Sequence, residues 1–361
     1  VTATAIPSRC DIPGRTRRLF LLLALGAGLV AAALLSLGTG AMALEPGPIA
    51  TILLSRLRLA EPAGFSAAQE GVLVAIRLPR MILGALAGAG LAVAGALLQG
   101  LFRNPLADPG LIGVSGGAAL AAASVIVLGE KLTSGIDLAI AVHVLPLAAF
   151  AGGLTTVLVV HRFAGRGGET SISGLLLAGI ALNALAGGAT GLLLFVATDA
   201  QLRSVTFWSL GSLGGATWTG LAGAAPLMLL AIALGPRLAG ALNLLQLGES
   251  EAGHLGLEVE RIKRRAITLA AMAVGAAVAV AGIIGFVGLV VPHLVRLIAG
   301  PDHRAVLPGS ALLGATLLLS ADVFARTVAA PAEVPIGIVT ALFGAPFLLW
   351  LLRRRVRRSW T

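Results

Sequence analysis

The feature that most restricts this chain is the run MILGALAGAGLAVAGALLQGL, residues 81–101, which carries no charge between Arg80 and Arg103. About 20 predominantly apolar residues span a bilayer's hydrocarbon core. Inside that core every backbone N–H and C=O must be satisfied within the segment, so the run reads as a membrane-crossing helix. Similar runs fall at 19–40, 111–128, 138–160, 172–196, 221–239, 266–284, 286–300, 306–325 and 335–352. The pattern predicts an all-α polytopic membrane protein of about ten transmembrane helices. Only 12% of residues are charged, about half the roughly 25% of a soluble domain. The stretch 197–220 stays open between a re-entrant and an interfacial helix, because Phe207, Trp208 and Trp218 suit the headgroup zone.

Charge orients the spans. Lysines and arginines number 26 against 16 acids, a net +10. In a soluble protein this excess would point to nucleic acid. Here the positive-inside rule accounts for it, and no nucleic-acid partner is expected. Starting inside leaves only Arg56, Arg58, Arg77, Arg80, Lys131, Arg203 and Arg326 on the outer face, so both termini are expected in the cytoplasm. Residues 1–18 then form a cytoplasmic tail before a retained first helix, 19–352 a single transmembrane domain, and 353–361 a basic cytoplasmic tail. The long loops are 41–80, outside, and 240–265, inside. The single cysteine, Cys10, excludes an intrachain disulfide and a thiolate cluster.

Several chemistries lack their residues. Neither lysine, Lys131 or Lys263, follows a glycine, so there is no phosphate-binding G-x-x-x-x-G-K-[ST] loop. No H-E-x-x-H motif occurs, and the one G-x-S-x-G match, Gly113–Gly117, lies in a small, apolar run with no strand before it, so it is no nucleophile elbow. The five histidines form no ligand pair at helical spacing, so no bound metal is expected. Asp322 is the one carboxylate well inside an expected span, thin material for an ion-coupled secondary transporter. The chain is expected not to be an enzyme, with energy for any transport coming from another subunit.

Small residues recur at four-residue spacing: Gly84 with Gly88, Gly113 with Gly117, and the stripe Gly179, Asn183, Gly187, Gly191. Such spacing lets helix backbones approach closely. The last stripe has two readings, a packing groove or a helix lining a wide pathway with Asn183 facing water. Between two apolar runs lies a polar island, QGLFRNPLADPGLIGVSGG at 99–117. Pro105 and Pro109 break helical structure there and push Asn104 and Asp108 from the αR region. Non-helical backbone at membrane depth must be buried in protein or line a water-filled cavity, so the island reads either as a tight turn or as a gate.

The segment RLPRMILGALAGAGLAVAGALLQGLFRNPLADPGLIGVSGGAAL (77–120) closely resembles the permease family of ATP-binding-cassette importers for iron-siderophores, heme and vitamin B12. So do GFVGLVVPHLVRLIAGPDHRAVLPGSALLGA (285–315), ADVFARTVAAPAEVPIGIVTALFGAPFLLWLL (321–352) and LLQLGESEAGHLGL (244–257). The resemblance runs from about residue 20 to 355 in matching order. It implies a type II ABC importer permease fold in a bacterial inner membrane. The implied assembly has two copies of this chain, two ATPase subunits that use ATP, and one periplasmic binding protein. Within it, Asn104, Pro105 and Leu106 match the cytoplasmic gate. Arg77, Arg80 and Arg326 match outward-facing arginines that dock the binding protein, where exposed guanidiniums would grip carboxylates; snorkelling to headgroups is the plainer reading of such arginines. The 244–260 loop matches the helices that couple to the ATPase. Gly248 and Gly256 would mark its turns, while Glu249, Glu251 and Glu258 would face a basic partner. Pro292 and His293 also match, with His293 read as a structural hydrogen-bonding residue.

Residues 199–218, DAQLRSVTFWSLGSLGGATW, are most similar to the heme-importing members. The resemblance therefore favours heme as the transported substrate, with ferric siderophore and cobalamin as alternatives. Arg203 near the outer mouth would meet a heme propionate. His143 reads either as a transient iron contact or as a structural helix-end residue.

Overall fold

The computed structural model describes residues 13–61, 64–132, 138–166 and 169–359; Cys10 and most of the expected N-terminal tail lie outside them. The chain forms helices α1 (Pro13–Gly38), α2 (Pro46–Arg56), α3 (Ala67–Gly71), α4 (Leu78–Leu101), α5 (Val114–Leu132), α6 (Leu138–Ala164), α7 (Ile172–Phe195) and α8 (Asp199–Ser209). There follow α9 (Trp218–Leu234), α10 (Ala239–Leu245), α11 (Glu249–His254), α12 (Val259–Ala281), α13 (Val287–Ala299), α14 (His303–Thr327) and α15 (Ile336–Ser359). The described strands are a two-residue ribbon, β1 (Gly165–Arg166) with β2 (Glu169–Thr170). Among the described residues, seven helices are long and apolar enough to cross a membrane, and Val114–Gly129, Val287–Ala299 and Ile336–Leu351 are shorter apolar helices. These occupy the segments read from the sequence, and the chain is a multi-pass membrane protein.

Helix α4 is the axis. Nearly every residue from Ala87 to Leu101 is buried, against α14, α12, α13 and α9. Its glycines decide how close those neighbours come. A Cβ on Gly88 would lie 2.3 Å from the Gly314 carbonyl oxygen of α14, and one on Gly95 would lie 1.7 Å from that of Gly288 on α13. Backbone touches backbone at both places, where dispersion and not hydrophobicity is the attraction available in lipid.

Three expectations about boundaries change. The expected loop 41–80 is largely helical. Ser66 and Gln69 form a reciprocal capping box that starts α3, and a π-helical stretch, Val72–Arg77, carries the chain into α4. Pro79, just past the π turn, has no N–H for the carbonyl five residues back, that of Val74. The Trp218 indole N–H fills the vacancy, donating to Val74 O at 2.9 Å. The third span starts later than expected, at Val114, because Gly113 sits at φ +88° and ends a short 3-10 turn, Pro109–Ile112. The loop 240–265 is α10, α11 and the first charged turns of α12. The ambiguous stretch 197–220 is the short helix α8 followed by a turn.

The two ends of the bundle are distinguished by their contacts. At the Arg80 end, Ser212 N donates to Ala281 O, Ile336 N to Gly211 O and Gly337 N to Leu210 O, tying the α8–α9 turn to α12 and α15. At the Arg103 end, Asn243 bonds Asp302 and His303 at the head of α14, and Gln246 Nε2 donates to Gly100 O. Gly95→Leu should therefore force α4 off α13. We expect a loss of about 1–3 kcal/mol or more, read as a lower thermal midpoint in detergent, with Gly187→Leu, at an open position, close to wild type.

Candidate functional site

The Arg80 end holds a buried charge cluster. Arg80 Nε donates to Asp322 Oδ1 at 3.0 Å and Nη2 to the same oxygen at 2.8 Å. On its other edge Nη1 and Nη2 donate to Glu333 Oε1 and Oε2 at 2.8 and 2.9 Å. Arg326 lies one turn beyond Asp322, with Nε 3.6 Å from Oδ2 and Nη2 donating to Ser36 O at 2.7 Å. Arg77 donates to the carbonyls of Leu37, Gly38 and Met42 at the end of α1. The expected exposure of these arginines is thus corrected: Arg77, Arg80 and Arg326 retain 4%, 8% and 9% of their accessible surface. The reason is electrostatic, since a guanidinium facing an apolar bundle must find oxygen partners. Glu333 is the cluster's half-exposed member, and hydrogen bonds from Arg80 hold its carboxyl below the usual glutamate range.

At the opposite end the polar island is a sequence of side-chain-stabilised turns. Arg103 adopts φ +50°, and Asn104 Oδ1 accepts from Leu106 N at 2.9 Å. Asn104 and Leu106 are exposed, with Pro105 half-buried between them. Asp108 Oδ1 accepts from Gly110 N at 2.7 Å. Burial pushes the Asp108 carboxyl up, and that N–H partly offsets it. Gln99, on the last turn of α4, donates to Leu289 O at 3.1 Å and accepts from Arg296.

The glycine stripe on α7 divides. Gly179 abuts the Leu111 carbonyl, and Asn183 Nδ2 donates to Gly110 O at 2.9 Å. That amide therefore serves the island. Gly187 and Gly191 meet nothing within 4 Å, so the upper half of α7 is open. Arg203 is exposed on α8 with a long 3.4 Å bond to Asp199 O. His143 is exposed on α6. No cluster of three His, Cys, Asp or Glu suited to a metal ion occurs among the described residues.

Around α11, Gly248 adopts φ +120° with ψ 154° and Gly256 φ +85°, backbone that favours glycine. Glu251 is exposed, as are Leu247 and Leu255 at 63% and 62%. Glu258 is exposed and pairs with Arg261 at 2.7 Å. Glu249 instead turns inward to Lys263, which is 3% exposed. Sequence reasoning missed Glu333 and Lys263. Lys263 had a weak signal, since Glu260 lies three residues before it on the same helix face among the charges that begin α12.

Residues 28–354 match the FecCD transport family. The chain belongs to that family. It is 51% identical over 285 residues to the hemin transport system permease protein of Yersinia pestis, covering 79% of this chain and 84% of that one. It is 45% identical to the cobalamin import system permease protein of Halobacterium salinarum, over 79% of this chain and 74% of the relative. The vitamin B12 import system permease protein of Salmonella paratyphi A is 43% identical, over 78% and 83%. A solved chain described as an inward-facing metal-chelate type ABC transporter superposes with a TM-score of 0.80 at 34% identity, covering 93% of this chain and 99% of that one. Chains of this family are transport subunits.

Two outcomes follow from the charge cluster. Arg80→Ala leaves Asp322 buried with only Arg326 beside it, and should cost about 3–5 kcal/mol in detergent unfolding, much of it recovered in Arg80→Ala/Asp322→Ala. Because folding depresses the Glu333 pKa, its bond to Arg80 contributes above the ordinary value of 4.5 and is lost as pH falls through the depressed one. Glu333→Gln should remove that acid-side component of the stability profile, a small one given that Glu333 is 43% exposed.

Proposed function

We propose that this chain is the membrane permease of an ATP-driven importer that takes heme from a periplasmic binding protein and releases it to the cytoplasm by alternating access. The observation that carries the reading is the 51% identity to a hemin permease over 79% of the chain. The vitamin B12 permeases follow at 45% and 43%, so cobalamin, and ferric siderophores after it, are the alternative cargoes. Asp322 argues against an ion-coupled carrier, because two arginines already engage its carboxylate.

In this reading two copies pair in the inner membrane with both termini inside. The apolar faces exposed on α7 and α15 (Leu177, Leu185, Leu192, Leu342, Phe343) supply surface for that pairing and for lipid. The binding protein docks at the Arg80 end. Since Arg77, Arg80 and Arg326 are buried and engaged by internal oxygens, a docking carboxylate would compete for Arg80 with the half-exposed Glu333 and not with buried Asp322. Arg203 on exposed α8 would meet a propionate at the same mouth. At the other end Asn104, Pro105 and Leu106 form the gate. Two ATPase subunits would receive α11, with Leu247 and Leu255 as apolar anchors and Glu251 as a charge for a basic cleft. Gly248, Glu249 and Gly256 shape that element from within.

The test is uptake in proteoliposomes holding this permease with its ATPase, supplied with binding protein carrying heme, a ferric siderophore or cobalamin in turn. Heme uptake that requires ATP is expected. Uptake of another cargo would change the substrate, and uptake driven by a proton or sodium gradient without ATP would overturn the reading. Gly248→Val, at φ +120°, should cut ATP-driven uptake at least about tenfold, equivalent to 1.4 kcal/mol, by distorting α11.

A further inference from the structure

Lys263 is a buried ammonium whose three donors are all used. Nζ lies 2.8 Å from Thr170 O, 2.7 Å from Glu249 Oε2 and 2.9 Å from Glu260 Oε1. The partners come from three segments: the end of the β ribbon, α11 and α12 itself. A lysine presents three donors in all, so nothing in this head group is left over. Burying an ion pair is a poor way to gain stability compared with packing an apolar side chain. What this arrangement does supply is a fixed relation between α11 and the segment entering α7.

From Thr170 the line continues without a gap. Ser171 caps α7, accepting from Gly174 N, so the helix begins at the clamp itself. Three turns later Asn183 donates to Gly110 O, in the 3-10 turn that closes the polar island. Between these points Gly179 rests on the Leu111 carbonyl, so α7 bears directly on the island's exit. A helix transmits displacement along its axis as a rigid rod, whereas the loops beside it do not.

We propose that Lys263 is the positioning residue that carries movement of α11 to the gate, through Thr170, α7 and the Asn183–Gly110 hydrogen bond. The inference rests on the importer reading above and names the internal linkage that reading requires. Gln246, bonding Gly100 O at the end of α4, is a separate tie from the same region and serves as the comparison.

The experiment measures ATP hydrolysed per cargo molecule imported, in proteoliposomes of the assembled permease and ATPase, using whichever of heme, ferric siderophore or cobalamin the wild type moves. Lys263→Met is expected to keep ATP turnover within about twofold while uptake falls about tenfold or more. Asn183→Ala should fall in the same way, and the double variant should be no worse than the poorer single one, because both interrupt one line. Gln246→Ala combined with Lys263→Met should multiply the two losses. Lys263→Arg, which keeps charge and donors, should recover part of the coupling. Where Lys263→Met does not assemble, Asn183→Ala against Lys263→Arg gives the same comparison. A wild-type ATP-to-cargo ratio in Lys263→Met, or in Asn183→Ala, would overturn the proposal, as would independent losses in their combination. A wild type that imports nothing with ATP would sink the importer reading instead, so the two failures are distinguishable.

Discussion

Helix α4 can serve as the axis because no side chain separates its backbone from those of α13 and α14. The Gly88–Gly314 contact also sets a register. The two helices run antiparallel, and Arg80 and Asp322 each lie eight residues from the crossing toward the same end. At a rise of about 1.5 Å per residue, each is carried about 12 Å from the contact, which brings the guanidinium onto the carboxylate. The ion pair at 2.8 Å is thus a consequence of where two glycines meet. A side chain at the crossing would push the helices apart and leave both charges facing hydrocarbon, where each is costly unless paired.

The same reasoning orders the other polar groups. Charges within reach of the apolar core are enclosed by oxygen atoms: Arg80 by two carboxylates, Arg77 by three carbonyls, Lys263 by two carboxylates and one carbonyl. Charges at the surface, such as Arg103, Arg203 and Glu251, are left for water, headgroups or partners. Burial therefore sorts the arginines into fasteners and contacts more strictly than the side of the membrane does.

This sorting explains what could be read in the sequence and what could not. The apolar runs were legible because a bilayer imposes a length and forbids charge, and the glycine turns at 248 and 256 because few other residues accept that backbone. Helix ends were less so: the capping box at Ser66 and the π turn before Pro79 extend a helix through what looked like loop. Arg80 was legible as a residue of importance and misread as exposed. Its partners lie 242 and 253 residues away, a separation across which no local pattern carries information. Asn183 had two readings from the sequence, and its bond to Gly110, 73 residues away, left no local trace there.

The ends of the bundle differ in kind. At the Arg80 end the elements are joined by backbone pairs and a shared charge cluster, all of which must yield together if any is to open. Around the island the joints are side-chain amide hydrogen bonds to carbonyls, one each from Asn183 and Gln246, and a cluster at Gln99, which also accepts from Arg296. Each such bond contributes roughly 0.5–1.5 kcal/mol net, and water can replace it if the end separates. Opening at the island therefore costs a few exchangeable bonds. Opening within the Arg80 cluster would strand an ion. In the proposed cycle such a fold yields first at the polar island when a partner pulls on α11, and the buried ammonium of Lys263 is proposed to keep that pull from being lost in a loop.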